Sequence, residues 1–195
     1  MVDNANIQYE IPAWNKIYSM LICQAQKIQA NGYKPDIIVG IARGGVVPAR
    51  ILSDLLEIKD FITIQIEYYK DINQTKQEPS LKQCLNMQLI DKTVLLVDDV
   101  SDRGNSLQLA KNHLKQKDAK EIRVATLYSK PTSMTKPDYY EKQTGNWIVF
   151  PWEIKETLGK IMEKQHSKHA MRKEITKLVD AGLPKQLLKK FLKDM

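Results

Sequence analysis

Val94-Leu95-Leu96-Val97-Asp98-Asp99-Val100-Ser101-Asp102-Arg103-Gly104-Asn105-Ser106 reads as a buried strand that stops in carboxylates and turns into a helix. Four consecutive apolar residues without alternation suit a central parallel strand covered on both faces. The run ends abruptly at Asp98 and Asp99, so both acids sit at the strand's carboxyl end, where open α/β sheets bind their ligands. Small polar residues and one glycine follow, and a helical pattern begins at Ser106.

This order of residues has a chemical use. Backbone N–H groups and the positive dipole end of the helix would face an incoming phosphate. Adjacent carboxylates repel phosphate, but they suit ribose hydroxyls or a magnesium ion carried by a diphosphate. The bland alternative is a strand followed by a helix capped by Asp102 or Ser106.

Outward from this segment, strands and helices alternate, which predicts an α/β fold with a mainly parallel sheet. Trp14, Ile17, Tyr18, Leu21, Ile22, Ala25 and Ile28 recur at helical spacing, and Asn31-Gly32 supplies a stop. Asp36 to Ile41 is a short apolar strand, Gly44-Gly45 a tight turn, and Pro48 suits the first turn of a helix. A second strand, rich in β-branched and aromatic residues, runs from about Phe61 to Tyr69. Residues 70–91 are polar and lack apolar periodicity, which predicts a structureless, mobile lid. After a helix to about Gln116 come a strand from Ile122 to Tyr128, a turn-rich stretch with Pro131 and Pro137, and a short strand around Trp147 to Phe150. Beyond Pro151, apolar residues at helical spacing mark one or two amphipathic helices, then a last one carrying Leu187, Leu188, Phe191 and Leu192.

Composition narrows the function classes. Residues 153–195 hold 11 Lys/Arg against 6 Asp/Glu, so net +5 of the chain's formal +7 lies in the tail. With acids interspersed, a solvated helical face explains that density better than a nucleic-acid surface. Cys23 and Cys84 show no zinc-ligand spacing, which argues for a reducing compartment and against a structural metal. Glu163, His166 and His169 share a helical face but have no partner elsewhere, too little for a metal site. The amino terminus has no signal-peptide pattern and no apolar run reaches membrane-spanning length, so a cytoplasmic protein is expected.

Residues 94–106 resemble the phosphoribosyl-pyrophosphate signature of the type I phosphoribosyltransferases. The resemblance implies that family's fold: a central mainly parallel sheet flanked by helices, with a small hood and, here, extra C-terminal helices. It implies that Asp98 and Asp99 meet the ribose hydroxyls and Mg²⁺, and that Asp102, Arg103, Gly104, Asn105 and Ser106 wrap the 5-phosphate. The loop acid, Asp102, lies close to the nucleobase in the family and is the candidate general acid/base at purine N7. The family usually has threonine where this chain has Arg103, which removes a hydroxyl and adds a cation. Arg43-Gly44-Gly45 resembles the pyrophosphate loop, in which the residue at Arg43 precedes a glycine across an often cis peptide. Alone, those residues read equally well as a glycine turn; the second site segment at the next strand end favours the loop.

Ser129-Lys130-Pro131 and Trp147-Ile148, before Pro151-Trp152-Glu153, resemble the 6-oxopurine enzymes, most closely the xanthine-guanine type. That implies Lys130 against the purine O6, with Trp147 and Ile148 packing on the base and reading it. A cation that donates to O6 favours hypoxanthine, guanine and xanthine over adenine. Val149 stands where the bacterial xanthine-guanine pattern has an acid, which leaves the choice among the three bases open. The resemblance spans residues 11–153. It implies a domain over 1–152 and a homodimer or higher homo-oligomer; the tail has no counterpart in the short bacterial enzymes, and its charge and apolar spacing read as a basic helical extension over 153–195 packed on the domain or a neighbouring subunit. The rival is a regulator that keeps the phosphoribosyl pyrophosphate site as a sensor while its basic tail contacts nucleic acid. Lys130 and Trp147, which a sensor would not need, favour the enzyme.

Overall fold

The computed structural model describes residues 7–69, 78–164 and 167–193. The chain packs as two units: residues 18–144, and residues 1–17 together with 145–195. No helix among the described residues is long and apolar enough to cross a membrane.

The larger unit is built on a six-stranded sheet. Its strands are β2 (Ile37–Ala42), β3 (Phe61–Tyr69), β4 (Glu78–Gln83), β5 (Thr93–Ser101), β6 (Glu121–Ser129) and β7 (Tyr139–Gln143), in spatial order β4-β3-β2-β5-β6-β7. All neighbours pair in parallel except β3 with β4. From β2 the chain moves outward through β3 and β4, then returns to lay β5 on the other side of β2 and moves outward again. The loops leaving β2 and β5 therefore diverge, which opens a crevice at the carboxyl end of the sheet.

Helix α1 (Trp14–Ala30) sends Gln24 to the sheet, where Nε2 donates to the Thr126 carbonyl at 2.8 Å. Helix α2 (Val46–Leu55) follows β2, and α3 (Asn105–Lys115) follows β5. Val94, Leu95, Leu96 and Val97 of β5 are fully buried, as a central strand requires. Leu107, Ala110 and Leu114 form the apolar stripe of α3, packed with Val94, Leu96 and Ile64 in the main core. Each such Val, Leu or Ile side chain contributes roughly 1.5–3 kcal/mol on burial.

Part of the 70–91 segment is structured, contrary to expectation. Residues 70–77 lie outside the described residues, but β4 pairs antiparallel with the end of β3, Tyr68 opposite Pro79. A short polar strand carrying Pro79 and Lys82 suits a sheet edge. Leu85 and Leu89 then enter the core. The Leu85 amide donates to His113 Nε2 at 3.0 Å, and the Leu89 amide to the Lys117 carbonyl at 2.7 Å. Two leucines four apart in a polar run carry no clear period; the α3 side of the core supplies their partners. Strand β7 likewise falls in the stretch read as turns and owes its strand state to the edge of β6.

The smaller unit joins both ends of the chain. β1 (Tyr9–Glu10) pairs in parallel with β8 (Trp147–Ile148), and α4 (Ile154–Lys164), α5 (Lys168–Asp180) and α6 (Lys185–Lys193) follow. The short strand expected around Trp147 to Phe150 is thus confined to two residues, and its strand partner is β1. Val149, Ile154, Leu158, Ile161, Leu178, Leu183 and Leu188 form one core, with Tyr9 and Ile11 packed against it. Most apolar residues of the tail helices are therefore covered from within the chain, Met162 and Leu192 remaining exposed, and residue 153 lies inside this unit. Tyr9 Oη donates to Glu174 Oε2 at 2.9 Å; burial and that carboxylate hold the phenol well above its ordinary pKa. Phe150 stacks on Trp152 at 4.8 Å between ring centroids, and Trp14 meets Trp152 in a tilted contact at 5.6 Å. Ser167 caps α5, its Oγ accepting from the Ala170 amide at 3.1 Å. That break separates Glu163 on α4 from His169 on α5, while His166 lies outside the described residues.

Candidate active site

The two acids lie where the strand pattern places them, at the end of β5 against the loop that leaves β2. Asp98 Oδ1 accepts the Asp99 amide at 3.0 Å, and the Gly45 amide also donates to this carboxylate. Burial first, and the neighbouring Asp99 second, push the Asp98 carboxyl well above the usual carboxylate range; the two amides oppose that shift only in part. Asp99 is buried against Gly44. A Cβ on Gly44 would lie 2.5 Å from Asp99 Cγ, and one on Gly45 would lie 2.8 Å from Asp98 Cα and from the Ile41 carbonyl. The paired glycines are therefore demanded by close approach of the β2 loop to the end of β5. Arg43 is exposed beside them. The cis peptide is Ala42–Arg43, one bond earlier than the family pattern led us to expect.

Beyond Ser101 the chain turns through Asp102 and Arg103, both exposed, to Gly104 and then α3. Gly104 has φ +86 and no side-chain cap, and a Cβ there would lie 2.6 Å from the Thr135 amide nitrogen. Both conformation and space thus require glycine. The Gln108 amide closes the first helical bond on the Gly104 carbonyl at 2.9 Å. The amides of Asn105, Ser106 and Leu107 precede that bond in the first turn, the arrangement that makes a helix N-terminus an anion site. Tyr68, near the end of β3, shares a 2.8 Å hydrogen bond with Ser106 through their hydroxyls.

Lys130 is half-buried at the carboxyl end of β6, its amide bonded to the Ser101 carbonyl at 2.8 Å. Arg43, Gly44 and Gly45 after β2, residues 98–106 at the end of β5 and beyond it, and Lys130 after β6 therefore lie on three adjacent strands at one end of the sheet. Trp147 and Ile148 belong to β8 in the smaller unit, where Trp147 is 56% exposed and Ile148 is buried. The sequence reading missed Ser101, Ser133 and Thr135, which surround the 102–104 loop. Ser101 was the available signal: a polar residue in register with Ser129 at the end of an apolar strand.

Among the described residues no group of three or more His, Cys, Asp or Glu side chains could hold a metal ion. Asp98 and Asp99 supply hard carboxylate oxygens, too few for an all-protein cage. That donor set fits a Mg²⁺ ion that brings its remaining ligands on a bound diphosphate.

Comparison with known proteins is consistent with this geometry. Residues 9–157 match the family model described as phosphoribosyl transferase domain. Xanthine-guanine phosphoribosyltransferase of Cereibacter sphaeroides is 32% identical over 151 residues, covering 73% of this chain and 85% of that protein. The crystal structure of purine phosphoribosyltransferase from Pyrococcus horikoshii shares 37% identity at a TM-score of 0.68, covering 75% of this chain and 94% of that one. A Neisseria gonorrhoeae protein crystallised with ppGpp shares 27% identity at a TM-score of 0.69, covering 77% of this chain and 92% of that one.

Proposed function

The chain belongs to the phosphoribosyl transferase family, and on that footing we propose that it is a purine phosphoribosyltransferase of the 6-oxopurine class. It transfers the 5-phosphoribosyl group of phosphoribosyl pyrophosphate to hypoxanthine, guanine or xanthine, a purine-salvage step that yields the nucleoside 5-monophosphate and pyrophosphate. The observation that carries this reading is the meeting, at the switch point of the sheet, of a glycine pair, two carboxylates and an uncapped helix N-terminus. The sensor alternative gains no support from the Cereibacter and Pyrococcus relatives, both named as phosphoribosyltransferases.

In the reaction the bond from ribose C1 to pyrophosphate breaks and purine N9 attacks C1, through an oxocarbenium-like transition state. Most of the task is charge control. Arg43 and the amide of Gly44 address the leaving pyrophosphate, while the Gly45 amide is spent inside the chain on the Ile41 carbonyl. Asp98 and Asp99 accept from the ribose hydroxyls and would hold Mg²⁺, which when bound supplies positive charge against the pyrophosphate. The amides and side chains of residues 102–106 anchor the 5-phosphate, holding C1 in position. Asp102 takes the proton from purine N7, and Lys130 donates to O6. The assignment of Trp147 and Ile148 to the base rests on the sequence resemblance. The family also leads us to expect a homodimer or higher homo-oligomer.

The test is pyrophosphate release from phosphoribosyl pyrophosphate and Mg²⁺ with hypoxanthine, guanine, xanthine, adenine and uracil. Turnover confined to the 6-oxopurines and lost in Asp102→Ala is the expected result. No turnover with any base, while phosphoribosyl pyrophosphate still binds, would refute the enzyme reading.

A further inference from the structure

The 102–104 loop and the opening of α3 are held from outside. Gly104 provides no side-chain cap, and Asp102 and Arg103 are exposed. The contacts come from the turn after β6. Thr135 Oγ1 donates to the Gly104 carbonyl at 3.0 Å, the same oxygen on which Gln108 closes the first helical bond. The Met134 amide donates to the Arg103 carbonyl at 3.1 Å. Below them, Ser101 Oγ donates to the Thr135 carbonyl at 2.8 Å and lies 2.7 Å from Ser133 Oγ. Ser133 Oγ also donates to the Thr135 carbonyl, at 3.0 Å. The absent Cβ of Gly104 is the space that lets Thr135 come this close.

We infer that Thr135, supported by Ser133 and Ser101, is the positioning residue for the 5-phosphate loop, and that its turn ties this loop to the base-reading Lys130. The Lys130 amide bonds Ser101, and five residues later Thr135 bonds Gly104, so one turn grips both ends of the loop. A hydroxyl on the carbonyl that opens α3 fixes the direction of the first-turn amides, and those amides meet the phosphate. Thr135 itself touches no substrate; it acts through Gly104. The assignment of a phosphate to this loop rests on the function proposed above, whereas the brace rests on hydrogen bonds within the chain.

Thr135→Val removes the hydroxyl while keeping the branched shape, and Thr135→Ser restores it. Amide hydrogen exchange of residues 102–107 reads the brace directly, and titration with inosine 5-monophosphate beside inosine reads the phosphate contribution. Thr135→Val should exchange faster over 102–107 and bind the monophosphate about tenfold more weakly, the worth of one hydrogen bond. Inosine binding should be unchanged, and Thr135→Ser should recover both readings. Exchange over 102–107 equal to wild type, or equal losses for inosine and its monophosphate, would overturn the assignment. Wild type that binds none of the inosine, guanosine and xanthosine 5-monophosphates would refute the purine-transferase reading instead, and the exchange result would still decide the brace. Should Thr135→Val fold poorly, Ser133→Ala carries the same comparison.

Discussion

Gly45→Ala tests the close approach on which the site depends. Gly45 caps α2 with φ −70, a conformation open to any residue. Without the tertiary contact the change would therefore be neutral, or stabilising by about 0.4–1 kcal/mol through the unfolded chain. In place, the added methyl sits against the Val97 carbonyl and 2.8 Å from both Asp98 Cα and the Ile41 carbonyl. All three atoms are backbone of adjacent central strands, so no side chain can swing aside. Overpacking of this kind costs about 1–3 kcal/mol. For a chain of this size that lowers Tm by about 2–12 °C, taking 2–4 °C per kcal/mol. Thermal unfolding followed by circular dichroism measures it, with Gly145→Ala, which meets nothing within 4 Å, as the control. Gly44→Ala should be milder in Tm, because its methyl meets the Asp99 side chain rather than backbone, and displacing that proposed ribose ligand should reduce turnover. A Gly45→Ala protein that melts with wild type would refute the packing argument.

Three other outcomes are expected. Burial, with a smaller contribution from Lys117, lowers the His113 pKa below its ordinary value. The unfolded chain then binds the extra proton first, so stability falls as pH drops from about 6.5 through the lower folded value. Urea unfolding at several pH values should show this acid-side loss reduced in His113→Gln. The raised Asp98 carboxyl has the opposite sign: the folded state holds its proton longer, so stability declines as pH rises through that range. Asp98→Asn should therefore raise Tm at neutral pH while lowering kcat/KM by about 10²-fold or more, and a lower Tm with unchanged kinetics would contradict the role. Lys130→Ala should lose about 10- to 100-fold in kcat/KM for hypoxanthine, the worth of a charged hydrogen bond. Steady-state kinetics with adenine alongside should show discrimination narrowing; equal loss for every base would argue for a structural role only.

The elements the chain spells clearly are those with a strong local pattern. Ile17, Leu21, Ala25 and Ile28 of α1 and the Leu107, Ala110, Leu114 face of α3 bury by a period visible along the sequence, and β5 by an unbroken apolar run closing in Asp98-Asp99; Trp14 and Tyr18, expected on the α1 stripe, stay exposed. β4, β7 and β1 have no such pattern, because edge and two-residue strands take their state from a neighbour's hydrogen bonds. Leu85 and Leu89 lie in a polar tract without a period and are core residues only because α3 and its C-terminal turn lie beside them.

For the site the division is similar. The sequence by itself determined the chemical groups: adjacent carboxylates after a buried strand, glycines where backbone must come close, a helix opening without a bulky residue, and Lys130 after the next strand. Each is a local consequence of residue type and spacing. Only the tertiary structure decided that β2, β5 and β6 lie side by side, and therefore that these groups share one end of the sheet. It also decided that Gly44 and Gly45 answer to the carboxylates of β5, that Asp98 is held protonated longer than an ordinary carboxyl, and that Ser133 and Thr135 brace the 102–104 loop. Strand order and through-space contact join residues dozens of positions apart, and a residue carries no local mark of a neighbour that arrives from another strand.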